Sequence, residues 1–360
     1  MMKNRKKLFF VTVLLSFSVV ILYAQTHVEK KVATKSNKFG VTYSLPKTTL
    51  VVNAEVTKTV CKPGSYYRYA EKYLGVKNAV TEDETYYELG KVTLENKGVP
   101  DPENTYIAEF KAGTVAPYVY LTEDGLLCTI NAEYTPPTDD KHSDEEAVTQ
   151  KDAKATAVFT EELLMAGSVA HQAEVAARQI YHIRESRMDI LTGDADNLPP
   201  DGDAMKLVIK QLEDQEKALT DLFVGSRIVE TSYYDVTITP NDDFENEVLF
   251  RFSKKLGILD ADDLGGAPVV MNLKATERAP LLDSKEAEKK EKSLKGVIYN
   301  VPGKARVEIK MNQNMLYKGE VQITQFGTHE GLAPVMFEDK KSPVKVYFYP
   351  ETGAIKQIIQ

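Results

Sequence analysis

The chain has 360 residues, 42% of them hydrophobic and 27% charged, with 53 acidic against 45 basic side chains and a net charge of −8. This is the composition of a folded soluble protein, and the length exceeds the ~100–200 residues of one ordinary domain. An acidic chain is a poor match for nucleic acid or anionic membrane surfaces, so neither is expected as a partner.

The N-terminus stands apart from the rest. Lys3, Arg5, Lys6 and Lys7 precede the apolar run LFFVTVLLSFSVVIL, and LYA ends at Ala24 with Gln25 following. This reads as a secretory signal over residues 1–24, cleaved between Ala24 and Gln25. The apolar run is shorter than the ~20 residues of a spanning helix, so no stable membrane insertion is expected after cleavage. Removing the leader leaves 41 basic against 53 acidic groups, a net charge of −12. Export opens two readings for Cys61 and Cys128, since oxidising compartments permit disulfides: a bridge, or two free structural thiols.

Residues 38–136 read as a β-rich N-terminal domain. TTLVVNAEV places Leu50, Val52, Ala54 and Val56 on one face at period two, and YIAEF, YVYL and LLCTI are further short strands. Within this region KPGSYYRYAEKYLG, residues 62–75, predicts one short helix, capped by Ser65 and ended by Gly75. Its wheel puts Tyr66, Tyr67, Tyr69, Tyr73, Ala70 and Leu74 on one arc, with Glu71, Arg68 and Lys72 opposite. That arc predicts docking on the N-terminal sheet, with Tyr67 at the border the most exposed ring. Residues 137–159 then lose all periodicity and read as an acidic, proline-containing linker.

From 160 to 225 the period becomes helical. Val169, Ala173, Ala176, Ile180, Ile183 and Ile190 form one seam ending at Gly193; Met205, Val208, Leu212, Leu219 and Leu222 form a second ending at Gly225. Two such helices joined by a short loop predict an antiparallel hairpin. Residues 226–360 return to strand patterns as a C-terminal β-rich domain, interrupted over 283–295 by a charged run that suits a solvated linker or an exposed helix. The expected fold is therefore α+β, with two β-rich domains and an antiparallel α-helical hairpin between them. One echo crosses the domains: VYLTEDGLLCTI and YFYPETGAIKQI align without gaps at an offset of 228, as two similar hairpins or as a duplicated β unit.

Catalytic and metal motifs are missing from the sequence. There is no H-E-x-x-H, no G-x-S-x-G, no phosphate-binding glycine loop and no zinc-type cysteine pair, so no catalytic, cofactor-binding or metal residue is assigned. In the acid-rich loop GDADNLPPDGD, Pro199 occupies the position where an EF-hand needs glycine, and Asp201 or Asp203 is better read as a helix cap. His171, Glu174, Arg178, His182 and Glu185 fall within about 80° of arc on the first long helix, opposite its apolar seam. The two histidines are about 16 Å apart along the axis, too far to share a metal. We read the stripe as a solvated face and as the candidate interaction face.

EVAARQIYHIRESRMDILTGDADNLPPDG, LEDQEKALTDLFVG, LFRFSKKLGILDADDLGG and KPGSYYRYAEKYLG together resemble an uncharacterised family, the domain of unknown function DUF4831, of exported Bacteroidetes proteins. The resemblance implies Gram-negative export, to the periplasm or the outer cell surface, and carries no assigned activity or site residue. The functional expectation is a non-enzymatic binding or scaffolding protein whose partner is an envelope protein or a glycan. The alternative is a hydrolase of envelope or dietary glycans or peptides, using a carboxylate pair between the β domains.

Overall fold

The computed structural model describes residues 41–108, 119–136, 160–194, 202–337 and 344–360. The leader with its Ala24–Gln25 junction, the tract over 137–159 and the loop over 195–201 lie outside the described residues. The chain opens with β1 (Val41–Lys62) and β2 (Glu84–Ala108), strands of 22 and 25 residues paired antiparallel. Between them sits helix α1 (Ala70–Leu74), entered through a 3₁₀ turn at Tyr67–Tyr69. A small hairpin of β3 (Val119–Leu121) and β4 (Leu127–Ile130) follows. Helices α2 (Glu161–Met165), α3 (Val169–Thr192) and α4 (Asp203–Val224) come next. Strands β5 (Ser226–Ile238), β6 (Phe244–Ser253), β7 (Gly257–Leu259) and β8 (Ala267–Glu277) lead to helix α5 (Ser284–Ser293). The chain finishes with β9 (Val297–Met311), β10 (Asn314–Leu332), β11 (Lys345–Phe348) and β12 (Ile355–Ile359). No helix among the described residues is long and apolar enough to cross a membrane.

Among the described residues three sheets form, in the orders β2-β1-β5, β10-β9-β8-β6-β7 and β12-β11-β4-β3. Where the sequence predicts separate β domains on either side of the helices, strands from both sides share sheets and cores. β5 runs antiparallel beside β1 from Leu50↔Ile238 to Lys62↔Ser226, and β11 pairs with β4. The reason lies in the apolar face of β1. Leu50, Val52, Ala54 and Val56 are buried against Phe250, Met271, Leu273, Val307 and Ile309 of the later strands, which cover what the N-terminal segment cannot cover alone. Side chains of that size contribute about 1.5–3 kcal/mol each on burial. A second core joins Val41, Tyr43 and Leu45 to Leu127, Ile130, Ile298, Val346 and Phe348. The boundaries near 136 and 226 therefore mark changes of element type, not of core.

The third core is helical. Ala173, Ala176, Ala177 and Ile180 of α3 pack with Leu219 and Phe223 of α4. Arg184 and Arg187 both reach Glu216, at 2.6 and 2.8 Å, and tie α3 to α4. The tyrosine-rich segment docks here and not on the sheet as its wheel suggests: Tyr66 is buried, its ring 5.5 Å from Phe223, and its N–H donates to the Leu222 carbonyl. Gly75 ends α1 at φ 69°, but Ser65 makes no cap. Tyr67, Tyr69 and Tyr73 are all half-buried, so Tyr67 is not singled out.

The structure extends the hairpin echo into a repeat of a whole unit. VTYSLP at 41–46 recurs as VIYNVP at 297–302, and GKVTL at 90–94 as GEVQI at 319–323. Their strands correspond: β1 pairs with β2 as β9 pairs with β10, and each unit ends in a hairpin, β3–β4 or β11–β12. Allowing one extra residue after the first proline, the buried faces match as Leu50/Ala305, Val52/Val307 and Ala54/Ile309, all fully buried. The hairpins dock alike. The Ser44 N–H donates to the Gly125 carbonyl at 3.0 Å and the Asn300 N–H to the Gly353 carbonyl at 3.1 Å, and both glycines take positive φ.

Candidate functional site

Each repeated unit breaks its own ladder at the proline. In the first, Ser44↔Thr105 is followed by Pro46↔Pro100, so Leu45 alone opposes residues 101–104. In the second, Val301↔Thr328 is followed by Gly303↔Ile323, so Pro302 alone opposes residues 324–327. Proline cannot donate to the ladder, and an extended bulge of four residues against one is how both strands absorb it. Bulges at equivalent places then meet across the molecule.

Their meeting is held by a satisfied polar network. The Thr48 N–H donates to Thr324 Oγ1 at 2.9 Å and to Gln325 Oε1 at 3.1 Å, while Gln325 Nε2 returns a bond to the Thr48 carbonyl at 2.9 Å. Asn300, only 2% exposed, donates through Nδ2 to the carbonyls of Pro46 and Thr352. The Tyr43 hydroxyl donates to the Ile298 carbonyl and accepts from the Ile298 N–H, and burial pushes its pKa well above the phenol range. Buried polar groups that are fully paired fix one arrangement of the strands.

Over this network lies a cleft of about 420 Å³. Its floor and first wall come from Leu45, Pro46, Lys47, Asp101, Glu103 and Asn104; the second wall comes from Asn300, Thr324, Gln325, Gly327, Thr328 and His329. Leu282, Lys290 and Leu294, on and around α5, form the third side. A neighbouring cleft of about 500 Å³ shares Leu282, Lys290, Gln325, Gly327 and Thr328 with it, and adds Asp242, Arg278 and Phe326. These dimensions suit a small ligand or a short stretch of polymer.

The resolved shifts in and beside the cleft are those of carboxylates held ionised. Asp101 is buried and its Oδ1 lies 3.0 Å from Lys47 Nζ, with Asn104 Nδ2 on Oδ2 at 2.7 Å. Burial alone would raise its pKa. Hydrogen bonds from Asn104, Lys47 and the Glu103 N–H, with the Lys47 charge, outweigh that and hold the carboxyl below its usual range. Asp242, bonded to Arg278 at 2.6 Å, is likewise lowered by that side chain. Every described carboxylate whose pKa departs from the ordinary range departs downward, Glu308 included.

With the fold and cleft described, the whole-chain match can be placed. The family model for a domain of unknown function, DUF4831, matches residues 39–356. The chain belongs to the DUF4831 family. That match spans both repeated units and the helices between them, so the cleft lies wholly inside the DUF4831 domain. No curated protein and no solved structure matches the chain.

The residues singled out by sequence fall elsewhere in the DUF4831 chain. His171, Glu174, Arg178, His182 and Glu185 are all exposed on one face of α3, with Glu174 bonded to Arg178 at 3.0 Å and 3.9 Å from His171 Nδ1. Cys61 and Cys128 are both buried and free. Their separation explains it: Ser44 bridges to Leu126, beside Cys128, whereas Cys61 lies seventeen residues further along β1, on the order of 50 Å at ~3.3 Å per residue. Burial pushes the Cys128 thiol up to about 11, which makes it inert. Asp203 sits in the first turn of α4 behind Gly202 and makes no side-chain cap. No group of three or more His, Cys, Asp or Glu among the described residues is placed to hold a metal. The cleft residues escaped notice because they are ordinary polar types in two distant strands. The signal available for them was the V-x-Y-x-x-P repeat at 41–46 and 297–302.

Proposed function

We propose that this DUF4831 protein is an exported, non-enzymatic binding protein of a Gram-negative cell envelope, which holds a polar ligand in the cleft between its two bulges. The observation that carries the reading is the cleft itself: equivalent bulges converge there, its walls are amides and hydroxyls, and its buried carboxylate is held ionised. Pre-formed polar walls on paired strands suit recognition. Export is supported by the basic and apolar leader ending at Ala24. The exposed stripe of Glu174, Arg178 and Glu185 is the surface that we assign to an envelope protein partner.

Two experiments test this. Protein recovered from the periplasm or surface of the producing cell should begin at Gln25 by N-terminal sequencing; a chain retained in the cytoplasm with residues 1–24 intact would end the export reading. Purified protein should retain envelope glycan fragments, and Glu103→Ala with Thr328→Val should weaken that retention while the melting temperature holds. Release of a cleaved product from those fragments would instead make the protein a hydrolase.

A further inference from the structure

We infer that the ligand of the cleft is an acidic saccharide whose carboxylate is met by Lys290. The inference rests on the reading of the cleft as a binding site and names what it binds. Lys290 stands on α5 at the wall shared by both clefts, so any ligand lying along the trough passes it.

The charges that face the trough can be taken element by element. β1 brings Lys47, β2 brings Asp101 and Glu103, and β10 brings His329; Lys47 and Asp101 close on each other at 3.0 Å. The segment after β8 brings Arg278 and the segment after β5 brings Asp242, which close at 2.6 Å. Among the described residues Lys290 donates to the Thr328 hydroxyl, which carries no charge. Among those residues Lys290 is thus a cation that forms no ion pair, on the wall common to the two cavities. An ammonium beside a hydroxyl is a ready seat for a carboxylate, since a charge-assisted bond replaces a neutral one.

The remaining walls say what should carry that carboxylate. Beyond the bonds that Asn104 and Gln325 make to Asp101 and Thr48, each amide nitrogen has a second N–H, and the Thr328 hydroxyl that accepts from Lys290 can still donate, which suits ring hydroxyls. Leu282 and Leu294 give small apolar faces for the C–H side of a ring. The carboxylate of Glu103, on the first wall, can accept from ring hydroxyls of a neighbouring residue.

The test is titration calorimetry of the purified chain with tetragalacturonate and with neutral maltotetraose, each at low and high salt, repeated on Lys290→Gln. The acidic tetrasaccharide should bind about tenfold or more tightly than the neutral one, the worth of one charge-assisted bond. Lys290→Gln should erase that preference with an unchanged melting temperature, and salt should weaken only the wild-type interaction. Equal affinity for the two sugars, or acidic binding that survives Lys290→Gln, overturns the inference. If neutral glycans bind and Glu103→Ala with Thr328→Val releases them, the cleft stands as a binding site and only the acidic assignment falls. If neither sugar binds and no envelope glycan is retained, both fall together.

Discussion

The two repeated units, β1 to β4 and β9 to β12, keep the same ladder, bulge and hairpin, yet differ in what is attached to them. The first opens its β1–β2 connection to admit α1, which caps the helical layer; the second closes β9 to β10 with a tight turn in which Asn312 takes φ 54°. The second in turn is preceded by α5, whereas the residues before β1 lie outside the described ones. The shared parts are those that bury apolar faces or satisfy backbone groups. The unshared parts build the helical layer on one side and wall the cleft on the other. The difference teaches that the fold is set by the common ladder and that any specificity is set by what each unit inserts.

The largest expected effect tests the shared core. Ile309 and Ala54 occupy equivalent, fully buried positions, one large and one small. Ile309→Ala should cost about 2–5 kcal/mol, read as a lower midpoint in urea with an unchanged slope. A loss below about 1 kcal/mol would mean that the two faces do not share a packed core, and the comparison of units would lose its basis.

Next comes the pair at the bulges. Asn300 and Ser44 are equivalent, but Asn300 bonds two buried carbonyls whereas the Ser44 hydroxyl meets Thr105 at an exposed site. Asn300→Ala should cost about 2–3 kcal/mol by stranding those carbonyls, and Ser44→Ala about 0.5 kcal/mol or less. Equal losses from the two changes would show that the units carry the junction symmetrically, against the network described.

How much of this was legible in the sequence follows from the same contrast. Period-two faces such as Leu50 to Val56 and helical seams such as Ala173 to Ile180 are local signals, and the β-rich, partly helical character followed from them. The helix stops at Gly193 and Gly225 were legible for the same reason, both having positive φ. Partnership was not. Nothing within β1 says that β5 will lie beside it, because pairing is decided by which apolar face remains uncovered after other strands have chosen. Tyr66 illustrates the point: its wheel position predicted burial correctly but not that Phe223 would be the ring against it. The cleft was hidden more deeply, since Asp101 and Gln325 become neighbours only when two bulges far apart in the chain converge.

A smaller effect separates the cleft from the cores by its pH dependence. Asp101 has a lowered folded pKa, so its contribution is fully present above the ordinary carboxyl value and is lost as pH falls through the folded one. Asp101→Asn should lose about 1–2 kcal/mol at neutral pH, moderated by the partial exposure of Lys47, and should show a flatter decline in melting temperature between about pH 5 and pH 2. Part of the slope will persist, because Glu308, pulled down to about 2 by hydrogen bonds from Lys310 and Lys318, titrates in the same window. A slope identical to wild type would mean that Lys47 and Asn104 do not hold Asp101 ionised in solution.

The smallest effect belongs to the α3 stripe, and its smallness is the point. Glu174 and Arg178 form an i, i+4 pair at 3.0 Å with both side chains about half exposed. Such pairs stabilise a helix by about 0.3–0.5 kcal/mol, and salt screens them. Glu174→Ala with Arg178→Ala should therefore move the melting temperature by a degree or two at most. Ala173 and Ala176, on the opposite face, are fully buried, so the stripe can change without disturbing the helix packing beneath it. A double variant that unfolds would show that the stripe is structural. One that folds normally but no longer retains an envelope protein would show that α3, like the cleft, is a surface the common ladder merely presents.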